Sequence, residues 1–432
     1  MRTRRLSLLP ASAALVGLLA AGCGDGGPAP GEPLSRIEHL VVLIQENASF
    51  DAYFASYCRA PSASEPTCTE GPGCCETGPS VDPGTGVPPA VLDDAEHGDF
   101  GPINLAVCME DAIDGGAMDR FVSGRCGSPR TFAYAPAATV APYHRLAAEG
   151  ALADRWFQPV LGASSSNDMY FARAAFVFAD NAFVPESIGG ECSFNPERRS
   201  FDLPTVGDLL ADAGVSWAFY IQGYATMLDF RARGECPPPD PACPADIPFF
   251  PCVYDPSDIP FQYEPRFRDD PAHMRDLGRL AKDLEAGALP SVVFVKALGF
   301  RTEHPGGGTT IRDGIDFVTG LVDRILASSV GERTLILLTY DESGGYFDHV
   351  PPPPASPVDG KSYGPRVPAI AIGPFARRGH VSHVTLEHSS IVRFIEWNWL
   401  GGRTGQLGTR DAAVHNLGSL LDPARTGVRV PE

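Results

Sequence analysis

Short apolar runs rich in β-branched residues alternate along this chain with segments of helical periodicity. That alternation is the pattern of an α/β fold, with helices on both faces of a mainly parallel central sheet. Strands are expected over 40–44, 215–221, 291–295, 334–339 and 368–372. Between the third and fourth, Ile311, Ile315, Val318, Val322 and Ile325 recur at steps of three and four, which predicts an amphipathic helix. Further helices are expected over about 168–178, 272–286 and 390–400. Segments 58–95 and 233–265, rich in Pro, Gly and Cys, interrupt the alternation and read as pinned rims or lids. No repeat or composition shift marks a second unit, so residues 37–432 are expected to form one domain.

Charge and composition narrow the function classes. With 44% hydrophobic and 20% charged residues, the 432-residue chain can bury a sizeable core, which excludes extensive disorder. Acidic residues outnumber basic ones 53 to 34, a balance that argues against a nucleic-acid partner.

The N-terminus reads as an export signal. Arg2, Arg4 and Arg5 precede an apolar, small-residue stretch from Leu6 to Ala21. It closes on Leu19-Ala20-Ala21-Gly22-Cys23, which resembles a bacterial lipobox. Residues 1–22 are thus expected to be a signal peptide, Cys23 the lipidated residue and 24–36 a flexible tether. The expected location is the bacterial cell envelope through a lipid anchor, or the exterior if cleavage is of the ordinary kind. Loss of residues 1–22 removes three arginines and no acids, taking the net charge from −19 to −22. Apart from Cys23, ten cysteines remain, all before residue 253, and in an oxidising compartment they are expected to staple loops as disulfides of unspecified pairing. A zinc site is the rival reading, disfavoured because no pair shows C-x-x-C spacing.

Polar clusters follow three of the expected strands. Gln45-Glu46-Asn47 follows the first, Glu303-His304-Pro305 the third, and Asp341-Glu342 with Asp348-His349 the fourth. Ligands of open parallel sheets bind beyond the carboxyl ends of strands, so these clusters should converge. Glu46, Asn47, Asp341 and Glu342 offer oxygen donors suited to a divalent cation. His304 and His349 could add ligands, phosphate donors or general acids. Ser164, Ser165 and Ser166 precede an expected helix capped by Ser166 or Asn167, where a nucleophile would meet an anionic phosphorus centre. A carboxyl-ester hydrolase would want G-x-S-x-G, and Gly162-Ala163-Ser164-Ser165-Ser166 lacks the second glycine. Gly306-Gly307-Gly308 could approach a phosphate, while His383 and His388 read as surface or capping residues.

The segment from Ile37 to Asp51, centred on Gln45-Glu46-Asn47-Ala48-Ser49-Phe50-Asp51, resembles the opening motif of the bacterial and plant phosphoesterase family. That family includes non-specific phospholipases C and AcpA-type acid phosphatases. Tyr340-Asp341-Glu342-Ser343-Gly344-Gly345-Tyr346-Phe347-Asp348-His349 is similar to its second signature, and Arg366-Val367-Pro368-Ala369-Ile370 with Gly373-Pro374-Phe375 to its third. The resemblance implies an alkaline-phosphatase-like sandwich and metal-assisted hydrolysis of phosphate esters, either phospholipid head-group diesters or soluble monoesters. It implies Glu46, Asn47, Asp341 and Glu342 as metal ligands, Ser164 as nucleophile, and His97, His304 and His349 as site histidines. The chain departs from the family pattern at Ala48 and Ala52, where Arg and His are usual, at Ser343, where His is usual, and at Ser166-Asn167-Asp168 in place of Pro-Asn-Arg. These departures sustain a second reading, a non-catalytic surface lipoprotein on the same fold.

Overall fold

The computed structural model describes residues 31–193, 195–236 and 254–432. The expected signal peptide, Cys23, residues 24–30 of the tether, and 237–253 of the second insertion with Cys243 and Cys252 lie outside the described residues.

Eight strands form the central sheet: β1 (His39–Gln45), β2 (Ala151–Ala153), β3 (Trp217–Ile221), β4 (Met274–Asp276), β5 (Val292–Lys296), β6 (Thr334–Tyr340), β7 (Ala369–Ile372) and β8 (His380–Ser382). Their order across the sheet is β8-β2-β7-β6-β1-β5-β3-β4. All neighbours are parallel except β7, which runs antiparallel to both β6 and β2. The sheet is therefore mixed and mainly parallel, as the alternating pattern predicts. Each expected strand is present, shifted by no more than two residues at either end. The three that the sequence did not announce, β2, β4 and β8, have only three residues each.

The main helices are α1 (Phe50–Phe54), α2 (Ala137–Glu149), α3 (Ser164–Arg173), α4 (Leu277–Glu285), α5 (Ile311–Leu326) and α6 (His388–Trp399). Helix α5 buries the expected face, Ile311, Ile315, Val318, Val322 and Ile325, and packs against α2. Helix α3 packs against α6. Every residue of β6 is buried, and so is all of β1 beyond His39. Such runs are mostly apolar because a covered parallel sheet has no wet face.

Among the described residues four disulfides pin the loops: Cys58–Cys75, Cys68–Cys74, Cys108–Cys126 and Cys192–Cys236. The first two staple the insertion expected at 58–95.

Register sets the position of the candidate site. Gln45 of β1 lies opposite Tyr340 of β6, and Ile44 opposite Lys296 of β5. The chain therefore leaves all three strands at one edge, carrying Glu46-Asn47, the 297–304 loop and Asp341-Glu342 toward one another.

Candidate active site

Asn47 is the hinge between two of these strand ends. It adopts a left-handed backbone with φ 59°, which Asn tolerates better than most residues. Its backbone N–H donates to Asp341 Oδ1 at 3.0 Å, and its side-chain Oδ1 accepts from Ser164 Oγ at 3.2 Å. Asp341 Oδ1 also accepts the Glu342 N–H at 2.7 Å, while Oδ2 has no hydrogen-bond partner among the described residues. The following turn approaches closely: at Gly344, φ is +67° and a Cβ would lie 2.2 Å from the Asn47 carbonyl oxygen, so only glycine fits.

Ser164 reaches this point from α3. The helix begins at Ser164 rather than near 168, and its N-cap is Ala163, which offers no side-chain cap. The expected caps are spent elsewhere. Ser166 Oγ donates to the Ala163 carbonyl at 2.7 Å, and the Asn167 amide bridges the Val160 N–H and the Gly162 carbonyl. With those side chains folded into the preceding turn, the helix extends back to Ser164. Ser164 is 5% exposed, whereas Ser165 and Ser166 are fully enclosed. Its hydroxyl lies in the first turn of a ten-residue helix, where backbone N–H groups and the dipole favour negative charge.

The surrounding electrostatics are dominated by buried acids. Burial pushes the Glu46 carboxyl up, but the ammonium of Lys296, 2.9 Å from Glu46 Oε1, and the nearby His304 outweigh it and hold it below its usual range. Asp341 and Glu342 are both raised, chiefly by burial; Lys296 opposes the shift at Asp341, and Asp341 adds to it at Glu342. Glu342 differs from Asp341 in that both its oxygens accept hydrogen bonds, from Asn104 Nδ2 at 2.6 Å and Gly344 N–H at 2.8 Å. Buried carboxylates with unused lone pairs are costly unless a cation answers them. The unpartnered Asp341 Oδ2, the Asn47 amide oxygen, Glu46 and the Ser164 hydroxyl make an all-oxygen donor set, which fits a hard or borderline divalent ion.

The histidines divide between two places. His304 follows β5, is half-buried, and its Nδ1 lies 2.9 Å from the Pro305 carbonyl. His97, on the short helix Asp94–Asp99, is buried; burial pushes it down to about 3, His304 adds to the shift, and the Glu303 backbone opposes it. The glycine run does not face a phosphate site here: Gly306 and Gly308 donate their N–H groups to the carbonyls of His97 and Gly98, so the run holds the two histidine segments together. His349 stands apart. Its Nδ1 lies 2.7 Å from Asp51 Oδ2 and its Nε2 2.9 Å from Glu76 Oε2, which occupies both ring nitrogens. Asp51, Asp348 and His349 bring three possible ligand atoms within 4.8 Å of one another. The buried Arg366 guanidinium already answers that cluster, donating to Asp348 at 2.8 Å and Asp51 at 3.1 Å.

Two residues at the site were not singled out by sequence reasoning. His388, expected as a surface or capping residue, opens α6 but is fully buried. Its Nε2 lies 2.7 Å from the Asp341 carbonyl, Trp156 Nε1 donates to its Nδ1 at 3.2 Å, and its ring stacks on Phe171. Lys296, at the end of an apolar strand, puts a buried cation beside Glu46. A lysine closing a uniformly buried strand was the available signal, since such a charge requires a partner. Ala48, Ala52 and Ser343, the family departures, are all enclosed, and the Ser343 hydroxyl has no partner among the described residues.

The chain is 26% identical over 466 aligned residues to phospholipase C B of Mycobacterium tuberculosis, covering 94% of this chain and 82% of that one. It is 23% identical to non-specific phospholipase C3 of Arabidopsis thaliana, covering 91% and 76% respectively. Among solved structures it is similar to a protein of the alkaline phosphatase superfamily from Vibrio parahaemolyticus, with 11% identity, a TM-score of 0.40, and coverage of 91% of this chain and 74% of that one. The Phosphoesterase family profile matches residues 37–400, a span that includes every strand-end cluster described above, and the chain belongs to that family.

Proposed function

We propose that the chain hydrolyses phosphate esters with Ser164 as nucleophile, assisted by a divalent ion held by Glu46, Asn47, Asp341 and Glu342. The observation that carries this reading is the position of Ser164 Oγ: at a helix N-terminus, hydrogen-bonded to Asn47 and next to an aspartate with an unused oxygen. A bound divalent ion would favour the serine alkoxide and polarise a phosphoryl oxygen. The helix N-terminus contributes N–H groups toward the charge on the phosphoryl oxygens. The Ser164 proton leaves to solvent as the alkoxide forms; attack by Oγ on phosphorus then breaks the bond to the alcohol oxygen, which takes a proton from His304. Water, giving a proton back to His304, cleaves the phosphoserine, and the departing Ser164 oxygen regains its proton from solvent. His97, kept neutral by burial, adjoins His304. His349 carries no proton to the leaving group in this scheme, because both of its nitrogens are taken, and it serves to fix the loop after β6.

The names of the relatives favour a phospholipid head-group diester as substrate, with a soluble monoester as the other candidate. Export through a signal peptide, with lipid anchoring at Cys23 or secretion, is part of the proposal; the disulfides support an oxidising compartment. Among the described residues no helix is long and apolar enough to cross a membrane. The deciding experiment assays the chain from residue 24 onward and its Ser164→Ala variant on p-nitrophenyl phosphate and p-nitrophenylphosphorylcholine, with and without chelator. Chelator-sensitive turnover lost in the variant is expected, and the preferred compound separates diester from monoester chemistry. Absence of turnover with several divalent metals supplied would shift the assignment to a non-catalytic lipoprotein.

A further inference from the structure

Lys296 is the only lysine or arginine side chain that forms an ion pair with Glu46 among the described residues. Its ammonium, 2.9 Å from Glu46 Oε1, lies 3.8 Å from Asp258 Oδ2, and all three residues are buried. Asp258 ends the short turn Pro256–Asp258, which packs against α3. Helix α3 contributes Asp168, a fully enclosed carboxylate whose two oxygens both lack hydrogen-bond partners among the described residues. Burial pushes the Asp168 carboxyl well up; Lys296 pulls it the other way, and Asp341, Glu46 and Asp255 add to the rise. One ammonium therefore answers several buried acids from four separate segments of chain.

We propose that the Lys296 ammonium fills a second cation subsite, built from Glu46, Asp168 and Asp258, beside the divalent ion assigned to Glu46, Asn47, Asp341 and Glu342. The inference rests on the metal reading given above. Paired-metal hydrolases place two cations about 4 Å apart to clamp a phosphoryl group. A lysine supplies one compact positive charge at such a place and cannot dissociate. Glu46, shared between the two positions, would hold the fixed charge next to the exchangeable one. Vacating the subsite should open it to a divalent ion, because the acids that remain are oxygen donors with unused lone pairs.

The test counts ions rather than turnover. Chelator-stripped protein is equilibrated with Mn²⁺, and bound metal per chain is measured by elemental analysis after equilibrium dialysis. Wild type and Lys296→Arg are expected to bind one equivalent and Lys296→Gln two, with the second lost again in Lys296→Gln/Asp168→Asn. A single equivalent in folded Lys296→Gln, or two in wild type, overturns the inference. No binding by wild type overturns the metal reading itself. If Lys296→Gln unfolds without metal, Mn²⁺ should restore its thermal unfolding transition, and failure of Mn²⁺, Zn²⁺ and Ca²⁺ to do so also overturns the inference.

Discussion

Ser164 Oγ donates to Asn47 Oδ1 at 3.2 Å, and this one contact joins the first turn of α3 to the loop leaving β1. The two residues are 117 positions apart in sequence and meet because β1 and the N-terminus of α3 share an edge of the sheet. Asn47 also holds Asp341 through its backbone N–H, so its side chain and main chain have separable jobs.

Asn47→Gly separates them. Glycine accepts φ 59° without strain and keeps the N–H that binds Asp341, but it removes the amide oxygen facing Ser164. Turnover is expected to fall at least on the order of 100-fold, because the change removes an assigned metal ligand together with the acceptor for Ser164. The melting temperature should stay within about 4 °C of wild type. Unchanged turnover in a steady-state assay would remove Asn47 from the site.

How much of this site could be read from the sequence depended on the length of its supporting elements. β1, β5 and β6 have five to seven residues, nearly all apolar, so both the strands and the polar clusters after them were legible. β2, β4 and β8 have three residues each and lean on neighbours for their pairing, which leaves no periodic signal. The start of α3 lies earlier than the sequence suggests because Ser166 and Asn167 look like caps, yet their side chains bond backward into the turn at 160–163. His388 reads locally as a surface or capping residue, because nothing in the sequence reveals that α6 delivers it beneath Asp341. The partners of His349 were equally hidden: Glu76 is 273 residues away, inside the disulfide-stapled insertion.

The His349–Glu76 pair should make stability pH-dependent at both ends. Burial alone would lower His349, but Asp51 and Glu76 raise it to about 9 from 6.5, while burial opposes and the His349 contact leads the lowering of Glu76 to about 2 from 4.5. A histidine raised on folding stabilises fully below its unfolded value, and the contribution is lost as pH climbs from 6.5 through about 9. The carboxylate behaves oppositely: its contribution is present above 4.5 and lost as pH falls toward about 2. On the alkaline side the loss is about 3 kcal/mol. Urea unfolding at about pH 6 and about pH 9.5 should therefore show wild type losing about 3 kcal/mol more than His349→Gln. Parallel losses would mean that the ring is not held as a cation.

His388→Phe tests the support beneath Asp341. The phenyl ring keeps the stack on Phe171, but the Asp341 carbonyl loses its donor and the Trp156 N–H its acceptor, both in buried surroundings. Two such unpaired groups cost about 3 kcal/mol together. Burial holds His388 down at about 3 against 6.5 when unfolded, so below pH 6.5 unfolding takes up a proton in wild type but not in the variant, and the deficit should be full above 6.5 and shrink as pH falls toward about 3. Denaturant midpoints of the two proteins across about pH 5 to about pH 8 check both points, and a deficit that stayed constant over that range would contradict a ring held neutral by the fold.

Glu303 immediately precedes His304 and takes an unusual backbone, φ 67°, that the fold must hold in place. Three buried donors do so: Tyr143 hydroxyl and Gln45 Nε2 on Oε1, the latter at 2.9 Å, and Tyr340 hydroxyl on Oε2 at 2.7 Å. Burial raises the carboxyl to about 7, with the hydroxyls of Tyr143 and Tyr340 and the Gln45 amide pulling the other way. A carboxyl raised on folding binds its proton more tightly in the folded chain, so stability is fully present below the ordinary 4.5 and falls as pH rises through about 7. Glu303→Gln is uncharged at every pH and should lose that slope. Glu303→Ala strands all three donors, and a loss of about 4 kcal/mol is expected in urea unfolding. Because His304 is the next residue, turnover of Glu303→Ala should also drop roughly tenfold under conditions where the protein remains folded. Retention of full turnover would show that the left-handed turn at Glu303 serves only the core and does not aim His304.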